Sequence, residues 1–411
     1  MIRGFRYFFL TMMAVAGLLL GGCGNDDAAP TIDVGVGVVA FSNGWMAIID
    51  TTTQTVSGPF LAGELGSSDG GLFDVVITPD RKTALISNFG DTKVFIVDIS
   101  KLSAPVVLGS VTLSFFAEDM ALTPDGRFAL VSDGGFSPRI AVIDVKNAVL
   151  VEEYTSPDLD PDPVNTSYDT YFNAIAVAAD GKTVLAADYF TGKVHTLTIN
   201  DAGHLTFVGS IDVTNGDTLR PVNVTIAPNG KTALVAVVAS DPDITDTLLA
   251  ADHMRFPVLE ITAPGVVALK SFIATTARIN ACQSIVFNNG SNKAYALCNQ
   301  EDQDTSDLVS PNNAVVELNV DSAGTVSDSG YTTEVDFIGT SQLFGVDTLA
   351  LDINNRYLYV SNMTLSNAKN YLQVVDVQNR TVVNSIDFAD VEIPPGGGIT
   401  MPSLPTGVYI R

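Results

Sequence analysis

The sequence predicts an all-β fold, specifically a seven-bladed β-propeller. Three observations carry that expectation. A turn motif recurs, with Asp80, Asp125, Asp180, Asn229, Asn289 and Asn354 spaced by 45, 55, 49, 60 and 65 residues. The apolar runs between these turns are short, rich in β-branched residues and broken by Gly, Pro and Asn, which excludes a helical reading. The two chain ends each hold part of one more unit.

The unit is clearest at 73–99. Phe-Asp-Val-Val-Ile-Thr-Pro-Asp runs into Lys-Thr-Ala-Leu-Ile-Ser-Asn and then Lys-Val-Phe-Ile-Val-Asp-Ile. It returns at 118–145, 173–199 and 222–261, with weaker copies at 283–320 and 347–377. Each copy reads as four strands. The first ends in a tight turn, where Pro presets φ and Asp or Gly tolerates the bend. The second is rich in Ala, Leu and Val, and the third ends in Asp or Glu. The fourth is a run such as Val106–Val111 or Val266–Ile273. Four short strands per repeat of ~40–50 residues is the signature of a propeller blade.

The ends set the expected count. Residues 36–62 supply second, third and fourth strands but no first. Pro405–Arg411 reads as a first strand with nothing after it. Six full units and one split unit make seven blades. Pairing of the two ends would close the ring and remove its sheet edges.

These Pro-Asp-Gly and Val-Ile-Asp units resemble the YVTN-type and lactonase-like seven-bladed β-propellers over about 36–411. Two departures stand. The last two full units lack the Pro-Asp-Gly turn, and no Tyr-Val-Thr-Asn tetrapeptide is present. The resemblance implies a fold, and one fold hosts many activities. Members of that family include cyclic-ester hydrolases and binding scaffolds.

Residues 1–22 read as a secretory signal. Arg3 and Arg6 precede the apolar stretch Phe8–Leu20, which is shorter than the ~20 residues a membrane helix needs. Leu20-Gly21-Gly22-Cys23 resembles the bacterial lipobox. That resemblance implies a diacylglyceryl (palmitate-type) anchor on Cys23, with a flexible tether over 23–35. Two or more acyl chains on one residue hold a protein stably on a bilayer. The expected address is the bacterial cell envelope, lipid-anchored in the outer membrane and facing the periplasm or the surface. The expected domains are 1–22 signal, 23–35 lipidated Cys and tether, and 36–411 propeller.

Across 411 residues, 21 basic side chains face 46 acidic ones, a net charge of −25. Removing 1–22 takes two arginines and no acid, leaving −27. This balance argues against a nucleic-acid partner, since phosphate binding needs a basic surface. A hydrophobic share of 46% excludes a disordered chain. A monomer is expected.

The long connections at 63–72, 152–172, 240–255, 299–313, 363–370 and 387–404 all follow a second or fourth strand. They therefore gather on one face, around the mouth of the central channel, where loops on a rigid scaffold carry binding residues. The first strands open at that mouth with Asp74, Asp119, Asn173, Asn223, Gln283 and Asp347. Such a ring could bind a hard cation such as Ca²⁺, which takes 6–8 oxygen ligands, orient a polar ligand, or form a solvated rim. Asp158, Asp160 and Asp162 alternate as in a Ca²⁺ loop but lack its Gly and terminal Glu. Glu301-Asp302-Gln303-Asp304 reads likewise as a charged loop. No cofactor is required by any motif.

Cys282 and Cys298 each lie eight residues from Gly290 at a hairpin tip. A regular register would place them opposite, at ~4.5 Å between Cα atoms in a non-hydrogen-bonded pair, within disulfide reach. A one-residue bulge would instead favour free thiols. His195 falls on a third strand, His204 beside a turn and His253 in a long loop, with Arg220, Arg255 and Arg278 near the favoured face. No nucleophile elbow, zinc-protease, haem or phosphate-loop motif occurs. Two functions follow as expectations. One is an anchored scaffold that binds a protein, glycan or small ligand on the loop-rich face. The alternative is a lactonase-like hydrolase of a cyclic ester, with or without a divalent cation.

Overall fold

A computed structural model describes residues 35–41, 44–61, 63–66, 71–135, 137–155, 159, 172–214, 219–239, 255–276, 279–300, 313–335, 349–363, 370–388 and 405–410. Cys23, Asp158, Asp160, Asp162, His253, Arg278, residues 301–304 and Asp347 lie outside them. The described residues form strands and turns and no helix. Among them, no helix is long and apolar enough to cross a membrane.

The strands follow the repeat. β1 (Val36–Phe41), β2 (Trp45–Asp50) and β3 (Thr55–Phe60) pair in order, as do β4 (Leu72–Ile77), β5 (Thr83–Asn88), β6 (Lys93–Asp98) and β7 (Val106–Thr112). Next come β8 (Ala117–Leu122), β9 (Phe128–Asp133), β10 (Arg139–Asp144) and β11 (Val149–Thr155). β12 (Phe172–Val177), β13 (Thr183–Asp188), β14 (Lys193–Ile199) and β15 (Leu205–Asp212) form another sheet. β16 (Leu219–Ile226), β17 (Thr232–Ala239), β18 (Arg255–Ala263) and β19 (Val266–Ala274) pair in order. So do β20 (Ile279–Phe287), β21 (Lys293–Gln300), β22 (Asn313–Val320) and β23 (Val326–Val335). One bridge, Val238 to Ala281, joins these two groups into a single path. β24 (Leu349–Leu351), β25 (Tyr357–Met363), β26 (Asn370–Asp376) and β27 (Thr381–Asp387) make the next sheet. The last strand, β28 (Pro405–Ile410), pairs antiparallel with β1, placing Tyr409 opposite Val38.

The turns form because short polar side chains satisfy the backbone they bend. Asp125 accepts from Arg127 N–H at 3.0 Å and from the Thr123 hydroxyl at 2.6 Å. Asp80 repeats this with Lys82 N–H at 3.1 Å and the Thr78 hydroxyl at 2.7 Å. Asn229 accepts from Lys231 N–H at 2.9 Å. These are the Asx turns that the repeat motif implies.

Burial differs by strand position. Second strands such as β9 and β13 are buried along their whole length, because sheets cover both of their faces. Outer strands such as β7 and β15 alternate between exposed and half-buried residues. The cores lie between successive sheets. Leu130, Ile140 and Val142 pack with Val184, Ala186 and Leu197. Val39, Trp45 and Ile49 pack with Tyr359, Leu372 and Val374. The high apolar share is thus spent on inter-sheet layers, at ~1.5–3 kcal/mol per fully buried Val, Leu or Ile.

Candidate functional site

Five of the first strands, β4, β8, β12, β16 and β20, share a defect near where they begin. The register shifts between Leu72 and Val75, Ala117 and Met120, Phe172 and Ala174, Pro221 and Asn223, and Cys282 and Ser284. Such a bulge interrupts the ladder and re-aims side chains. At two bulges a serine of the second strand replaces the lost ladder bond. Asp74 N–H donates to Ser87 Oγ at 2.9 Å, and Asp119 N–H donates to Ser132 Oγ at 3.1 Å.

The re-aimed carboxylates reach the neighbouring sheet. Asp74 Oδ2 accepts the N–H of Met120 at 2.9 Å. Asp119 Oδ2 accepts the N–H of Ile175 at 2.7 Å. Asp74, Asp119, Asn173 and Asn223 are all buried, so they do not form a solvated rim. Gln283 is half-buried at its bulge, between Cys282 and Ser284. The Asn173 side chain is 0% exposed, yet among the described residues neither its Oδ1 nor its Nδ2 finds a hydrogen-bond partner. Asn223 Oδ1 shares that condition. A buried amide in this state costs ~1–3 kcal/mol unless something completes it.

The sequence reading missed the residues beside this row. Glu118 is buried next to Asp119. Phe89 stacks on Phe116 with ring centroids 4.8 Å apart, and Phe73 tilts against Phe89 at 5.6 Å. Phe116 is 41% exposed, so the aromatic group offers a face to solvent at the end where β5 stops and β8 starts. Gly134 and Gly135 pass close to this group. A Cβ on Gly134 would lie 2.8 Å from the Phe89 ring and would overlap the Glu118 carboxylate. Asp133 accepts from Gly135 N–H at 2.6 Å and from Arg139 Nε at 2.6 Å. Burial nevertheless pushes the Asp133 carboxyl above its usual range, against the pull of the Gly135 N–H and the Arg139 guanidinium. The signals were present as Phe-Ala-Glu-Asp at 116–119 and Asp-Gly-Gly at 133–135.

The other candidates scatter. Arg220 packs over the β13–β14 turn, its Nη1 3.2 Å from where a Gly192 Cβ would lie. Burial raises the pKa of the nearby Tyr189 hydroxyl, and Arg220 opposes that shift. Arg255 stands at the start of β18, opposite Ala274. His204 is exposed, with Nδ1 3.6 Å from Glu152. His195 is buried on β14 and bonded to Asp188 at 3.1 Å. Among the described residues, no group of three or more His, Cys, Asp or Glu side chains could hold a metal ion.

Cys282 and Cys298 form a disulfide, with Cα atoms 4.0 Å apart. A regular hairpin does not produce this pairing. Phe287 faces Ala294, a register that would carry Cys282 to Asn299. The bulge at Gln283 shifts the strand by one residue and sets Cys282 opposite Cys298. The bulge expected to separate the thiols is what aligns them.

No family model matches the chain, and no curated protein matches it. Solved structures do. A protein of unknown function from Desulfotomaculum acetoxidans is 19% identical over 91% of this chain and 98% of its own, with a TM-score of 0.69. The periplasmic gluconolactonase of Pseudomonas aeruginosa is 16% identical over 92% and 99%, with a TM-score of 0.61. The fold is that of a β-propeller. A putative 6-phosphogluconolactonase from Bacteroides uniformis has the same arrangement at 15% identity, over 92% of this chain and 100% of its own, with a TM-score of 0.60. At these identities the likeness is one of propeller fold.

Proposed function

We propose that the sheets are the blades of one seven-bladed propeller, with β28 completing the first blade. The pairing of β28 with β1 supports this. So does the core that packs Val39 and Trp45 against Tyr359 and Leu372. In this reading Cys23 carries the lipid anchor in the cell envelope, and the loop-rich face binds a small polar ligand. The observation that carries the binding site is Asn173, a fully buried amide whose two polar atoms have no partner among the described residues. It lies two residues from Ile175, which Asp119 holds through its N–H. An amide offers two donors and an acceptor, and a hydroxyl-rich ligand can meet both kinds. The exposed Phe116 face would cover the apolar side of such a ligand.

The second reading is a lactonase-like hydrolase, favoured by the two structural neighbours described as lactonases. One set of experiments separates the readings. Thermal shift and hydrolysis are measured with δ-gluconolactone as probe, with Ca²⁺ and with chelator, on the wild type and on Asn173→Ala. A lactone-induced shift without turnover, lost in Asn173→Ala, supports a binding propeller. Turnover lost in Asn173→Ala supports the hydrolase. No shift and no turnover in any condition removes the channel-mouth site. Detergent-phase partitioning that survives Cys23→Ala removes the lipid anchor.

A further inference from the structure

Next outward from β12 in its sheet, the strands β13, β14 and β15 bring together a serine, a histidine and a carboxylate. His195 sits on β14, and Ser210 lies directly opposite it on β15. Ser210 Oγ is 2.8 Å from His195 Nδ1, and His195 Nε2 is 3.1 Å from Asp188 Oδ2. Asp188 closes the β13–β14 turn, accepting from Phe190 N–H at 3.1 Å, Thr191 N–H at 3.3 Å and the Thr191 hydroxyl at 2.7 Å. The imidazole is held between Phe172 and Phe207, with ring centroids at 5.5 and 6.2 Å. His195 and Asp188 are buried, whereas Ser210 is exposed on the outer strand.

The hydrogen bonds assign the tautomer. A carboxylate oxygen only accepts, so Nε2 carries the proton and donates to Asp188. In the neutral imidazole Nδ1 then keeps its lone pair, and the Ser210 hydroxyl donates to it. This is the polarity a nucleophilic serine needs: a base on its proton and a group that fixes the base.

The repeat supplies internal controls. Ser110 on β7 faces Phe95, and Ser385 on β27 faces Gln373, at the same place in their blades. Both serines are exposed, and both lack an imidazole opposite. The constellation is therefore a departure of this blade from the pattern.

We propose that Ser210 is a base-assisted nucleophile on the outer strand, with His195 as its general base and Asp188 as the positioning residue, and that it accepts acyl groups from small esters. Ser210 Oγ bonds to the acyl carbon and its proton passes to His195 Nδ1. The ester C–O bond breaks, and the leaving alkoxide takes that proton from His195. Water then cleaves the acyl-serine by the reverse sequence.

A fluorophosphonate probe reports the first step, because Oγ bonds to phosphorus and fluoride leaves. The native full-length chain is labelled, and Ser210, Ser110 and Ser385 are quantified by peptide mapping. Base assistance predicts that Ser210 reacts about 100-fold faster than the other two. His195→Gln and Asp188→Asn are expected to lower the Ser210 rate toward theirs. Equal labelling of the three serines in the wild type overturns the proposal, and that comparison does not depend on a buried variant folding. Ser210 labelling that His195→Gln leaves unchanged in a folded protein overturns it too.

Discussion

The carboxylate of Asp119 accepts the backbone N–H of Ile175 on the neighbouring sheet, at 2.7 Å. The bond ties the first strands of two sheets together through a side chain, where no ladder joins them. Asp74 makes the same reach to Met120. Asp119→Ala strands the buried Ile175 N–H and is expected to cost ~1–3 kcal/mol in urea denaturation. Asp119→Asn keeps an acceptor and costs less. A loss below ~0.5 kcal/mol, the scatter of ordinary surface changes, would show that the bond adds nothing.

The disulfide closes a hairpin with a sequence separation of 16. Chain-entropy arguments give ~3 kcal/mol for a loop of this size. The double variant Cys282→Ala/Cys298→Ala is expected to melt several degrees lower than the wild type. Reductant should lower the wild-type midpoint and leave the variant unmoved. Equal response of both proteins to reductant would sink this account.

The turns and strands were legible because Asp80, Asp125 and Asp180 act within their own hairpins, and local chemistry writes itself into local sequence. The positions of Asp74 and Asp119 were legible for the same reason. Their partners were not, since Met120 and Ile175 belong to other repeats and the reach depends on bulges that no residue type announces. Cys282 and Cys298 show the limit from the other side. The sequence pairing assumed a straight ladder, and the pair forms through a bulge at Gln283. His195 looked unremarkable because Ser210 and Asp188 come to it from the two flanking strands.

The turn aspartates make stability depend on acid. Hydroxyl hydrogen bonds from Thr78 and Thr123 hold the Asp80 and Asp125 carboxyls below the ordinary value of 3.8. The unfolded chain therefore binds more protons in this range. Their stabilisation is present above 3.8 and is lost as pH falls through the lower folded values. Asp133 has the opposite sign. Its raised folded value gives a contribution present below 3.8 and lost as pH rises through that folded value. Urea midpoints measured from pH 5 to pH 2 should fall, and Asp125→Asn should fall less steeply. Because the turn is exposed, the variant's effect is expected to stay below ~1 kcal/mol. A slope that Asp125→Asn leaves unchanged would count against this assignment.

Gly134 gives a test of the aromatic group formed by Phe73, Phe89 and Phe116. Its φ is not in the left-handed region, so alanine there meets a packing conflict and no backbone strain. The added methyl would sit 2.8 Å from the Phe89 ring and would overlap the buried Glu118 carboxylate. Neither group can step aside cheaply, because Phe89 is stacked on Phe116 and Glu118 is enclosed. Gly134→Ala is expected to cost ~1–3 kcal/mol, the usual penalty of overpacking. Gly109 lies on an outer strand, where an added Cβ would meet only the Ala148 Cβ, at an ordinary contact distance of 3.7 Å. Gly109→Ala therefore serves as the control and should change stability far less. If the loop-rich face binds the lactone probe, Gly134→Ala should also weaken its thermal shift while Gly109→Ala leaves the shift intact. Equal behaviour of the two variants in both measurements would show that Phe89 and Glu118 can yield, and that the aromatic group takes no part in binding the probe.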